Sequence, residues 1–244
     1  MSEQKKPQMP SGWPGMVRRA VRRAPSTDPA IANGEAWKEM LAELERAGSF
    51  VVGKGAPETQ LDQAEGWLHL ASLLRLGAGE MMVTVDPDRP RFEWNDGTGK
   101  WGLDCADALY AQTAVRAGNV YRVRGRRGSV HFLGLQLVAR MRAVVDIDAD
   151  DLEIGDDGIF DIQLGGDNPG RGNWVELPED ATAIIVRQFF YDWDSEEPAT
   201  LTIDRIDGGT SRPPTMVSPG ARAAQLRAVG RFVHDNTEWW VQTA

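Results

Sequence analysis

Apolar positions recur at helical spacing in two early stretches of the chain and at strand spacing through its middle. Ala36, Trp37, Met40, Leu41 and Leu44 repeat every three or four residues, with Gly48 as a stop, which predicts an amphipathic helix over 34–47. A second helix is predicted over 59–76, where Leu61, Ala64, Leu68, Ala71 and Leu74 or Arg75 trace one face and Gly77 closes it. The run Asp86-Pro87-Asp88-Arg89-Pro90 reads as a rigid turn, because each proline removes a donor and restricts its predecessor. From 91 to 206 the pattern changes to short strands (FEWN, NVYRVRG, SVHFLGLQLV, FDIQL, AIIVRQFFYDW, ATLTIDRI) separated by Gly/Asp turns. Ser218 and Pro219 look like an N-cap and a first helical residue, opening a last helix over 221–234, before Trp239 and Trp240. The expected class is α+β, a mainly antiparallel β-sandwich of jelly-roll type flanked by N-terminal and C-terminal helices. Its sections are a basic, Pro/Gly-rich tail over 1–33, a helical segment over 34–85, the sandwich over 86–210, and a C-terminal helix with a Trp-rich end over 211–244.

Composition narrows the partners. The 244 residues, 41% of them hydrophobic, are enough to bury a proper core. Lysine and arginine total 27 against 36 acids, and a net charge of -9 argues against general binding to phosphate backbones. Lys5, Lys6, Arg18, Arg19, Arg22 and Arg23 crowd the start, which is read as a solubilising arm. No apolar stretch reaches the roughly 20 residues of a membrane helix, and the start shows no signal-peptide pattern. Cys105 is the single cysteine, so no intramolecular disulfide forms. A bacterial-type cytoplasmic setting with neither nucleic acid nor membrane as partner is expected.

Candidate chemistry concentrates between 100 and 132. Asp104 and Asp107 flank Cys105, and paired carboxylates near a cation can be driven apart in pKa to serve as acid and base; alternatively they cap a solvated turn. Cys105 is read as a small buried hydrophobe, since no nucleophile signature surrounds it. The strand period of two puts Tyr121, Val123 and Gly125 on one face and Arg122, Arg124 and Arg126 on the other. Such a ladder either grips a substrate carboxylate through bidentate hydrogen bonds or pairs with Asp104, Asp107 or Glu93. His131, on the same face as Leu133 and Leu135, is either an acid/base group beside Arg124 or Tyr121 or a satisfied core histidine. Arg187, Asp192 and Trp193 end an apolar strand, where Asp192 either orients a ligand on an aromatic wall or pairs with Arg187. Trp101 and Tyr110 complete the expected substrate-binding set. The histidines lack metal-ligand spacing, and no phosphate-loop or dinucleotide fingerprint is present, so neither metal nor cofactor is expected.

The blocks AEGWLHLASLLRLG, Asp86-Pro87-Asp88-Arg89-Pro90, KWGLDCADALY, VYRVRGRRG, Asp157-Gly158-Ile159-Phe160, Asn173-Trp174 and VRQFFYDWDSEEPA lie in this order over 59–206. Together they resemble domain-of-unknown-function family 1214. The resemblance implies a jelly-roll-like fold and uncharacterised bacterial relatives, often encoded beside catabolic genes. Two departures stand out. Where that family commonly has Asp-Asn-Pro-Asp, this chain has Asp104-Cys105-Ala106-Asp107, and longer relatives continue into a second half that a second subunit is expected to replace here.

The functional expectation is a cofactor-independent acid/base enzyme, of lyase, isomerase or hydrolase type, acting on a hydrophobic or aromatic small molecule with an acidic or hydroxyl group. Asp104 or Asp107 serves as base, His131 or Tyr121 as acid, Arg122 or Arg124 as anchor, and Trp101 and Trp193 as wall. The alternatives are a non-catalytic structural or assembly subunit and a carbohydrate- or lipid-binding module, the latter drawing on the nine tryptophans. A small organic ligand and a homo-oligomer or partner subunit are the expected partners.

Overall fold

The structure is a computed structural model in which residues 27–83, 86–95, 101–102, 104–139, 142–208 and 217–243 are described. Most of the basic tail expected over 1–33 lies outside them. Among the described residues four α-helices and nine strands make an α+β fold. Short α1 (Pro29–Ala32) leads into α2 (Glu35–Val52) and α3 (Gln60–Ala78), which continues as a π-helical turn over Gly79–Val83. The strands β1 (Glu93–Asn95), β2 (Ala108–Ala114), β3 (Tyr121–Arg126), β4 (Phe132–Ala139), β5 (Arg142–Asp148), β6 (Ile159–Leu164), β7 (Asn173–Val175), β8 (Ala183–Phe189) and β9 (Thr200–Arg205) follow, then α4 (Pro219–Thr243).

The strands divide between two sheets, β1-β2-β8-β4-β5 and β7-β6-β3-β9. Every described pairing is antiparallel except β6 with β7, which is parallel. The alternation read from the sequence sets the inward faces: Leu133, Leu135 and Leu137 of β4 and Ile184 and Val186 of β8 meet Val123, Phe160, Ile162, Leu164 and Ile203 from the other sheet in one core. Gln188 is fully buried there, and is accommodated because Nε2 donates to the Ala199 carbonyl at 3.0 Å while Oε1 accepts from the Ala199 N–H at 2.7 Å.

The helices form a second body of their own. α4 packs chiefly along α2 and then along α3, around a small core of Ala47, Leu73 and Val233. Close approach explains the glycines here. A methyl group at Gly230 would lie 3.0 Å from the Met40 backbone, and one at Gly77 would lie 2.8 Å from the Phe232 ring. Thr59 caps α3 by accepting from the Asp62 N–H at 3.1 Å, and Ser218 caps α4 by accepting from Ala221 N–H at 3.1 Å. The Ser218 cap stands where the sequence places it. The helices themselves are longer than expected: α2 passes Gly48, α3 passes Gly77, and α4 includes Trp239 and Trp240 rather than ending before them. Among the described residues no helix is long and apolar enough to cross a membrane.

Candidate functional site

Register in the five-stranded sheet assembles one outward-facing surface. Tyr110 of β2 lies between Asn95 of β1 and Arg187 of β8, and Gln112 lies between Glu93 and Ile185. Arg187 in turn neighbours Gly134 of β4, which has no side chain to cover it. The end of α3 and the π-helical turn roof this surface at the β1 edge, supplying Arg75, Leu76, Gly79 and Glu80, while the segment with Trp101, Gly102 and Asp104 forms a side wall. Between roof and sheet lies a cleft of about 310 Å³, with Trp94, Trp101, Leu76 and Ile185 as its apolar lining. A second hollow of about 410 Å³, with Phe132, Gln136, Asp146, Asp148 and Phe189, adjoins it and shares Arg187.

The polar groups are anchored. Arg187 Nη1 donates to Gln136 Oε1 at 2.8 Å, and Gln136 Nε2 donates to Asp146 Oδ1 at 2.6 Å, so a relay across three strands holds the guanidinium. Arg75 Nη2 donates to Asn95 Oδ1 at 3.4 Å. Asp104 Oδ2 accepts from the Trp101 N–H at 2.8 Å, while the Trp101 indole donates to Asn236 Oδ1 at 2.7 Å and Asn236 Nδ2 donates to the Phe232 carbonyl at 2.7 Å. The wall is thereby tied to α4. Trp240 comes so near Gly102 that an added methyl group would stand 2.1 Å from its ring.

Glu80 is the chemically distinctive group. Burial pushes its carboxyl above the ordinary value of 4.5, against the opposing effect of a hydrogen bond with the Gln112 side chain. His69, on α3, is held below 6.5 by burial, with the negative charge of Asp104 pulling the other way. An arginine, a desolvated carboxyl and two indoles around one cleft suit an apolar molecule with an anionic or hydroxyl end.

Of the expected site residues, Trp101, Asp104, Tyr110 and Arg187 meet in this cleft. The others are elsewhere, so the expected single cluster is divided. Tyr121 is fully buried on the inner face of the second sheet, where its hydroxyl accepts from the Arg116 N–H at 2.9 Å and from Asn119 Nδ2 at 2.8 Å and donates to the Pro87 carbonyl at 2.8 Å. Burial pushes its pKa up. Arg122 and Arg124 point from the outer face of that sheet and bracket Asp161 of β6 at 3.2 and 3.0 Å, not Asp104, Asp107 or Glu93. β3 and β2 belong to different sheets, which is why these arginines miss the cleft.

His131 precedes β4 instead of lying in it; it is exposed and stacks on Tyr191 with ring centroids 3.8 Å apart. Asp107 is exposed, and its carbonyl accepts from the Phe190 N–H at 2.8 Å. Asp192 accepts from the Ser195 hydroxyl at 2.6 Å and not from Arg187, and that bond holds its carboxyl below the usual carboxylate range. Trp193 stacks on Phe190 with centroids 4.0 Å apart. Cys105 is exposed, not buried; its N–H donates to the Tyr110 hydroxyl at 3.3 Å. Sequence reasoning missed Arg75, Glu80, Asn95 and Gln112. A signal for Glu80 existed, a lone carboxylate inside the apolar run LGAGEMMV.

No family model and no curated protein matches the sequence. Among solved structures, an uncharacterised protein from Burkholderia cenocepacia shares 33% identity with a TM-score of 0.79, over 88% of this chain and 61% of that one. The chain therefore spans about three fifths of the length of that relative. A protein from Vibrio parahaemolyticus shares 15% identity over 66% of this chain and 52% of its own, with a TM-score of 0.36, too low to bear on the fold.

Proposed function

We propose that the cleft binds a small hydrophobic or aromatic molecule bearing an acidic or hydroxyl group and transforms it by acid/base chemistry that needs no cofactor. The observation that carries this reading is the raised carboxyl of Glu80 in the same cleft as Arg187. A carboxyl whose pKa burial raises keeps its proton to higher pH than an ordinary carboxyl and so can donate it, and a guanidinium in the same cleft fixes the polar end of a substrate. Arg187 is the anchor, Glu80 the proton-transferring group, Asp104 a second carboxylate, and Trp94 and Trp101 the wall that keeps water out. The class of reaction is a lyase, isomerase or hydrolase step.

The same proposal places the chain in domain-of-unknown-function family 1214, in the cytoplasm, and treats the two sheets as a jelly-roll-like sandwich. The resemblance of the sequence blocks over 59–206 supports the family, and the common core of the two sheets supports the sandwich.

Thermal-shift measurements with benzoate, phenylacetate and benzyl alcohol test the binding half. Benzoate or phenylacetate should raise Tm in the wild type, and Arg187→Met should abolish the shift. A shift that persists in Arg187→Met, or its absence for every carboxylate tried, would refute the anchor. Turnover of a substrate found among such compounds should fall in Glu80→Gln while binding remains.

A further inference from the structure

Leu61, Ala64, Leu68 and Ala71, which the sequence places on one face of α3, lie on the outside. Leu61 is 72% exposed and Leu68 60% exposed, and Ala64 and Ala71 between and beyond them are exposed too. At about 100° per residue these four fall within roughly 80° of arc, one continuous stripe. Beyond Ala71 the stripe is covered, because Ser72 beside it is buried; the opposite face carries the buried Leu73 and Gly77, with Leu70 and Leu74 packed beside Leu73. A helix that is apolar on both faces belongs between two bodies, and among the described residues only one packs against α3. The surface also extends past α3. Trp67, 47% exposed, lies against Gly48 of α2, where an added methyl group would meet its ring at 3.2 Å. On α2 the exposed residues Trp37 and Leu41 stand on the same helical face as Gly48, so the two stripes join at Trp67.

We propose that α3 is a dimerisation helix, pairing antiparallel with α3 of a second copy of this chain about a two-fold axis level with Gly66. The spacing of large and small residues selects this occupant. In that antiparallel register Leu61 faces Ala71 and Ala64 faces Leu68, so each isobutyl group enters the space above a methyl on the other copy. A parallel pairing would set leucine against leucine and leave gaps at the alanines. The register also sets Glu65 opposite Trp67 instead of opposite its own copy, which matters for a chain of net charge -9. A stable interface needs about 800 Å² per subunit, more than four side chains offer, and Trp67 with the Trp37–Leu41 stripe supplies the extension. Arg75 and Leu76, at the C-terminal end of the same helix, line the cleft, so the proposed contact lies on an element that also builds the site.

Light scattering after size exclusion, on the full chain at micromolar concentration, reads the outcome. The wild type should have the mass of a dimer, and Leu61→Gln/Leu68→Gln should weaken association by more than about 100-fold, leaving a monomer with unchanged circular dichroism. In a Cys105→Ser background, Ala64→Cys/Leu68→Cys should oxidise to a covalent dimer, whereas Cys105→Ser alone should not. A monomeric wild type overturns the proposal, and so does a dimer that survives Leu61→Gln/Leu68→Gln. If the wild type is monomeric and removal of residues 1–26 produces dimers, the N-terminal arm is the occupant and the second copy is not.

Discussion

Replacing Tyr121 with phenylalanine separates a structural from a chemical role for the hydroxyl of a fully buried tyrosine. Tyr121 is 0% exposed, and its oxygen serves three partners: the Arg116 N–H, Asn119 Nδ2 and the Pro87 carbonyl. Phenylalanine keeps the ring and its packing but removes all three bonds, leaving Asn119 Nδ2 only a 3.4 Å contact with Asp88 Oδ1. Asn119 is itself buried at 7% exposure, whereas Arg116 is exposed and Pro87 half-buried, so water compensates the latter pair in part. At about 1–3 kcal/mol for a stranded buried group and less for the other two, the loss should come to about 2–4 kcal/mol. For a chain of this size, where 1 kcal/mol moves Tm by about 2–4 °C, the melting point should drop by roughly 4–16 °C. Urea titration should show a lower midpoint at unchanged slope. Tyr110→Phe, which loses one 3.3 Å contact to an exposed N–H, is the control and should cost less than about 0.5 kcal/mol. Because Tyr121 faces the core and not the cleft, carboxylate-induced thermal shifts should be the same in Tyr121→Phe as in the wild type. A variant as stable as the wild type, or one of normal stability with no carboxylate response, would refute this account.

Two further outcomes follow from the cleft. Gly102→Ala forces a methyl group toward the Trp240 ring, at 2.1 Å before any movement, and should cost about 1–3 kcal/mol while displacing the Trp101 wall; near-ultraviolet circular dichroism and a weakened carboxylate response check it. Glu80 contributes a pH dependence of definite sign. Its folded-state pKa lies above the ordinary 4.5, so its contribution is fully present below that value and is lost as pH rises through the raised pKa. Glu80→Gln should therefore gain stability relative to the wild type above that window and not below it, as denaturant melts at several pH values would show.

Strand alternation made β3, β4, β6, β8 and β9 legible, because one face of each is buried against a shared core. β2 was hidden by its composition: ALYAQTA is alanine-rich and alternates weakly, and its neighbours Asp104 and Asp107 invite a capped turn instead. Glycine misled at the helices. Gly48 and Gly77 read as stops, yet each is where another element approaches, Trp67 in one case and Phe232 in the other, so the helices run on. That error hid Glu80, which exists in the site only because α3 continues into the turn over Gly79–Val83. The cleft was half-legible for a related reason. Residue types and periods show which way a side chain points from its strand, but not which sheet the strand joins, and that choice alone moved Tyr121, Arg122 and Arg124 away from Arg187.

The cleft draws its walls from the end of α3, from β1, from the Trp101 segment, from β2 and from β8, with Asn236 of α4 bracing one side. No stretch of consecutive residues contains it. During folding, therefore, local helices and hairpins must form and the distant β2–β8 pairing must close before any pocket exists, a late event because loop closure precedes its reward. If the cleft binds carboxylates as proposed, recovery of that binding after dilution from denaturant times the final assembly step, and a compound that fits the cleft would act on the last part of the molecule to become native.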